Sequence, residues 1–172
     1  MKKFQFLLLD AGPIIKLFEL NLWDVFVEKC DITIGKTIMQ EAKYFSGEFE
    51  DAKINLELYE QKIKIIDPTS YEVKNFLDKF IHKYQSDIHT GEKEILTFLD
   101  NSSEQWRLCS ADGAVFRVLG LLGKSKQGIS LEEVLDQLGL TKKLEWRFTK
   151  RFREKFTQMG QIDLIQNNGL KQ

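Results

Sequence analysis

The sequence predicts an α/β protein, with a mostly parallel central sheet flanked by helices in a Rossmann-like three-layer sandwich. Two observations carry that expectation. Short apolar runs (Phe4 to Leu9, Ile63 to Ile66, Arg107 to Ala111) alternate with longer segments of helical spacing. That alternation is the pattern of a parallel sheet covered on both faces. The length of 172 residues then suits one domain with a substantial core. Within it, residues 1–125 read as the core and 126–172 as a helical extension packed on it.

Each element has its own local reason. Phe4 to Leu9 is almost continuously apolar, as a buried strand should be. Ala11-Gly12-Pro13 turns the chain, and Pro13 suits the first turn of a helix reaching about Leu20. Leu22, Val25 and Phe26 have helical spacing and predict a second short helix. Asp31 to Ile34 is the next strand; Gly35 breaks it, and a helix resumes over Lys36 to Phe45. After Gly47, helical spacing continues from Phe49 to Lys62, followed by a strand over Ile63 to Ile66 that Asp67-Pro68 stops. Ser70 is the expected N-cap of a helix through Tyr84, with Val73, Phe76, Leu77, Phe80 and Ile81 on its apolar face. A polar loop from Gln85 to Thr90 leads to a helix over Gly91 to Leu99. Arg107 to Ala111 is a strand, Asp112 to Leu122 a helix, and Gly123 to Gly128 a connector. Ser130 and Glu133 have capping-box spacing and open a helix through Leu138. Thr141 is expected to cap a last long helix through about Met159.

Composition narrows the function classes. The net charge of −1 gives no global pull toward nucleic acid, so such a partner must be met by a local patch. Cys30 and Cys109 form no CxxC pair, which argues against a zinc site or a disulfide framework and for a reduced, cytoplasmic setting. Met1-Lys2-Lys3 before the first apolar run imitates a secretory start. Asp10 ends that run early and no small-residue cleavage site follows, so no signal peptide is expected. No apolar stretch approaches the ~20 residues that span a membrane.

The chemistry-bearing residues are carboxylates. Asp10 closes the first apolar run, and Glu41 lies in the helical Thr37-Ile38-Met39-Gln40-Glu41-Ala42. Glu92 and Glu94 open another helix, and Asp112 follows the strand from Arg107. In an open parallel sheet, ligands bind outside the carboxyl ends of the strands, where such acids from separate segments can meet. Carboxylates gathered without lysine partners repel each other unless protonated or neutralised by a cation. An all-oxygen set suits Mg²⁺ or Mn²⁺, and such ions activate water against phosphodiesters. The expectation is a metal-dependent nuclease. Singly, each acid reads equally well as a helix cap or a residue matching a helix dipole.

The same residues carry a family resemblance. Leu8-Leu9-Asp10-Ala11-Gly12-Pro13-Ile14-Ile15 resembles the opening of PIN domains, and Ile38-Met39-Gln40-Glu41-Ala42 is similar to their second acidic segment. Gly91-Glu92-Lys93-Glu94-Ile95-Leu96 resembles the Gly-Glu-x-Glu stretch of a subgroup related to toxin–antitoxin nucleases. Leu108-Cys109-Ser110-Ala111-Asp112-Gly113-Ala114-Val115 is similar to the fourth acidic segment. The resemblance runs in order from Phe4 to Leu122. It implies a PIN fold and Mg²⁺- or Mn²⁺-dependent cleavage of RNA, often by toxins that an antitoxin holds inactive. Asp10, Glu41, Glu92 and Asp112 would be both metal ligands and catalytic residues. Glu94 competes with Glu92 for the third position, Glu92 being favoured as nearer the helix start, and Asp87 is a spare. The subgroup often has a second acid where Gly113 stands here, which leaves open an inactive PIN-like module that binds RNA or protein.

A second feature lies near the C-terminus. Lys142 to Lys155 carries seven basic residues against two acidic ones, interleaved with Trp146, Phe148 and Phe152. Arg147, Lys150, Arg151 and Arg153 form a candidate RNA-binding face. Equally open are a merely solvated helix face and a docking surface for a partner helix or a second subunit, as in a homodimer. Thr37 and Ser110 are candidates to hold a ligand carboxylate by hydrogen bonds. His82 and His89 lack a serine or cysteine partner, so a hydrolytic triad is not expected.

Overall fold

The computed structural model of the chain describes residues 3–42 and 54–171. Its centre is a five-stranded, all-parallel sheet in the order β3-β2-β1-β4-β5. The strands are β1 (Phe4–Leu9), β2 (Cys30–Gly35), β3 (Ile63–Ile66), β4 (Arg107–Cys109) and β5 (Gly128–Ile129). Leu7, Leu8 and Leu9 are consecutive yet all buried, which requires cover on both faces of the sheet. Helices provide that cover, giving the three-layer sandwich expected from the sequence.

The chain leaves β1 outward through β2 to β3, then returns to the other side of β1 with β4. The order therefore reverses between β1 and β4, and a crevice opens beyond their carboxyl ends. The β1–β4 ladder continues one step past β1, where the Asp10 amide donates to the Cys109 carbonyl at 3.0 Å.

Helix α1 (Ala11–Glu19) follows β1 directly, and α2 (Trp23–Lys29) leads into β2. Phe18, Trp23 and Tyr59 form an aromatic cluster beneath them. Helix α3 (Lys36–Ala42) follows β2, α4 (Ser70–Leu77) and α5 (His82–Ser86) follow β3, and α6 (Thr90–Asn101) precedes β4. After β4 come α7 (Gly113–Leu121), β5, α8 (Leu131–Gln137) and α9 (Lys150–Ile165). Ser130 caps α8 through the expected capping box with Glu133.

Helices α7 and α9 cross with their backbones nearly touching. A Cβ on Gly120 or Gly160 would strike the carbonyl oxygen of Thr157 or Arg117 across that crossing. Arg117 and Tyr84 both bond to the buried Asp163, tying α7 and α5 to the end of α9.

Several expected elements differ. The stretch from Phe49 to Lys62 is not helical where it is described: it holds a single 3-10 turn at Leu56–Tyr59, while residues 43–53 lie outside the described residues. The helix from Ser70 is capped by Thr69, with Glu72 completing a capping box, and it stops at Leu77. Its apolar spacing continues, but the C-terminal tail intervenes. Phe80 bridges to Leu170, the Ile81 amide bonds to the Gly169 carbonyl, and the Lys171 amide bonds to the Lys79 carbonyl. The connector after Gly123 contains β5, so the segment following residue 125 adds a strand to the sheet. The last helix is capped by Thr149, not Thr141; residues 146–148 form a 3-10 turn before it.

Candidate active site

The crevice beyond β1 and β4 holds a cavity of about 370 Å³ lined by Asp10, Glu41, Glu92, Asp112, His89 and Arg147 among others. The four acids singled out from the sequence thus arrive at one place from four segments. Asp10 ends β1, Asp112 precedes α7, Glu92 lies in the first turn of α6, and Glu41 is near the end of α3.

Each acid is oriented by a local bond. Asp10 accepts the Ala11 amide on Oδ1 at 2.7 Å and the Ser110 hydroxyl on Oδ2 at 2.6 Å. The same Ser110 hydroxyl accepts the Asp112 amide at 3.0 Å, so one side chain at the end of β4 steadies both aspartates. Asp112 accepts the Ala114 amide at 2.7 Å, and Glu92 accepts the His89 amide at 2.9 Å. Glu41 reaches the start of α6, its Oε2 lying 3.9 Å from where a Cβ on Gly91 would stand. The starts of α1 and α6 line this cavity, as does Asp112, the N-cap of α7. Their aligned helix dipoles favour negative charge there.

The electrostatics record the crowding. Burial, then the nearby charge of Asp10, pushes the Glu92 carboxyl up to about 8, and Asp112 adds to the shift. Burial likewise raises Asp10, opposed by its bonds to Ser110 and Ala11 and assisted by the charges of Asp112 and Glu41. Among the described residues, no three His, Cys, Asp or Glu side chains converge as a ready-made metal set. The acids ring the cavity and do not meet at its centre.

The alternates from the sequence fall elsewhere. Glu94 faces α3, accepting the Thr37 amide at 2.9 Å and the Thr37 hydroxyl at 2.5 Å. Two positions after Glu92, it points to a different side of α6 and fixes the helix that carries Glu41. Asp87 lines a neighbouring depression with Arg117 and Phe156, outside the acidic cavity. Thr37 serves Glu94, whereas Ser110 does hold a cavity carboxylate.

The basic residues also divide. Arg147 lines the acidic cavity, its guanidinium 4.8 Å from the ring of buried Phe148. Arg153 is turned to α8, where two bonds of 2.7 and 2.9 Å to Glu133 neutralise it, so it does not join Arg147 on one open face. Lys150 stands 3.7 Å from Glu154, and Arg151 is exposed. The placing of Arg147 has a visible cause. Lys16 pairs with Glu145 at 2.5 Å and so fastens the 3-10 turn to α1.

Gly113 has a packing reason. A Cβ there would lie 2.6 Å from the Phe156 ring of α9. The place of a further acid is therefore taken by an aromatic residue from the C-terminal helix. His89 sits at the cavity rim, exposed, as the N-cap of α6. Cys30 and Cys109 are buried free thiols, and no helix among the described residues is long and apolar enough to cross a membrane.

Comparisons with protein-family models, with curated proteins and with solved structures find no match to this chain.

Proposed function

We propose that the chain is a Mg²⁺- or Mn²⁺-dependent endoribonuclease of the PIN type, with Asp10, Glu41, Glu92 and Asp112 as ligands. The observation that carries this reading is that four carboxylates from four segments line one open cavity at the sheet's switch point. The donor set is chemically suited to a hard divalent ion, being all oxygen. The charge state suits one as well, since a cation would offset the burial and the nearby Asp10 charge that lift Glu92 to about 8. Mg²⁺ keeps several waters and takes few carboxylates directly, so some of the four acids would hold it through water.

Bound there, the ion would supply a water of lowered pKa and neutralise charge developing on an RNA phosphodiester. The protein's own part is orientation. Ser110 and the Ala11 amide fix both oxygens of Asp10, while Glu94 sets α3 and hence Glu41. Arg147 offers the phosphate a fixed, planar cation. Control by an antitoxin or by homodimerisation, and a cytoplasmic location suited to two free thiols, belong to the same proposal.

A second reading has its own observations. Asp10, Glu92 and Asp112 each bond the amides of a helix start, which they would also do in an inactive PIN-like binder of RNA or protein. Cleavage of a mixed RNA pool separates the two. With Mn²⁺ or Mg²⁺ the wild type should cut, and EDTA should stop it. Asp10→Asn and Asp112→Asn should lose about 10²-fold or more, the scale of removing one transition-state stabiliser. Equal cutting by both variants would reject the nuclease site, and inert wild type would favour the binder.

A further inference from the structure

We infer that Trp146 and Arg147 together seat one nucleotide of a single-stranded RNA, its base stacked on the Trp146 ring and its phosphate at the Arg147 guanidinium. The inference rests on the acidic cavity being where the strand is held for cutting. Of the three tryptophans, Trp23 and Trp106 are 2% and 7% exposed, whereas Trp146 is 52% exposed. It is nevertheless held in place. Its ring meets Phe152 edge-on at 4.8 Å and leans on Phe156 at 6.3 Å. An aromatic ring that is rigid yet half in water gives up burial energy, which a recognition surface recovers when it is covered.

The surroundings specify what covers it. Arg147, the next residue in the chain, lines the acidic cavity, and its neighbour Phe148 is buried and anchors the turn. Lys155 places its ammonium 5.2 Å from the centroid of Trp146. Phe156, beneath Trp146, packs against Gly113, the residue after Asp112. A half-exposed ring with the Lys155 ammonium over it, followed in the chain by the cavity-lining Arg147, matches a base that takes that place over the ring with its phosphate at the guanidinium. A purely apolar helix would offer Arg147 and Lys155 no counter-anion, whereas a strand of RNA does. A base in a duplex already stacks on its neighbours, so the surface discriminates for a single strand.

The test is equilibrium binding of full-length protein in EDTA, where cleavage plays no part. The probes are a short end-labelled oligoadenylate, an abasic strand of equal length and the corresponding duplex, with anisotropy of the label as the readout of binding and tryptophan emission recorded alongside. The oligoadenylate should quench the wild-type emission, and Trp146→Ala should bind it about tenfold more weakly, the scale of one lost stack. Trp146→Phe should retain most of the affinity while losing the quench. The abasic strand and the duplex should bind wild type and Trp146→Ala alike. Arg147→Ala should weaken every strand and flatten the salt dependence by about 0.7, the slope of one single-strand phosphate contact.

Equal oligoadenylate binding by wild type and Trp146→Ala would overturn the inference, as would an absence of binding by wild type. A dimer that Trp146→Ala turns into a monomer would also overturn it, by making the ring a protein interface. Stacking intact in a protein that never cleaves would defeat the nuclease reading and leave this one standing. Cleavage intact with Trp146→Ala binding unchanged would do the reverse.

Discussion

Ser110 Oγ donates to Asp10 Oδ2 at 2.6 Å, joining the ends of the two strands between which the sheet order reverses. The hydroxyl also accepts the Asp112 amide, so it positions two carboxylates without lining their cavity. Ser110→Ala should therefore keep the fold and weaken Mn²⁺ binding by about 10- to 100-fold, the usual effect of losing a group that orients a ligand. A calorimetric titration checks this, and unchanged affinity would mean that Asp10 is held by the Ala11 amide alone.

The Glu92 carboxyl gives a pH prediction for metal-free protein. Burial and Asp10 raise it from 4.5 to about 8, so between those values the folded chain holds a proton that the unfolded chain has released. Its stabilising contribution is full below about pH 4.5 and is lost as pH rises toward 8. Melting temperature in EDTA should fall across that window, and Glu92→Gln should flatten the slope. A slope that survives Glu92→Gln would assign it to another group.

Gly113→Asp would place an acid beside Asp112, where the resemblance to PIN domains departs. The added Cβ would meet the Phe156 ring at 2.6 Å, so overpacking should cost about 1–3 kcal/mol in urea denaturation. Phe156→Ala in the same chain should recover part of that loss. Full stability of the single variant would show that α9 can move aside.

Strands such as Leu7 to Leu9 and caps such as Ser130 are local, and the residues themselves announce them. The four acids were recognisable because each follows a strand or helix-start signal. What could not be read depends on distant partners. The helix break at Asp78–Ile81 is made by Gly169, Leu170 and Lys171, some 90 positions away in sequence. Strand β5 has two residues, too few for a periodicity. Glu92 and Glu94 are equivalent as letters, and only the approach of Thr37 to Glu94 separates them. The pairing of Arg153 with Glu133 likewise removes one of four candidate cations, for a reason that lies on another helix.

The most direct test of the account is a calorimetric titration of Mn²⁺ into metal-free protein near pH 7, repeated in buffers of different ionisation enthalpy. Wild type should bind saturably and release a proton, because Glu92 must ionise as the cation enters. Asp112→Asn should lose the binding and the proton together. Absent binding, or equal binding by Asp112→Asn, would contradict the assignment of this cavity as a metal site.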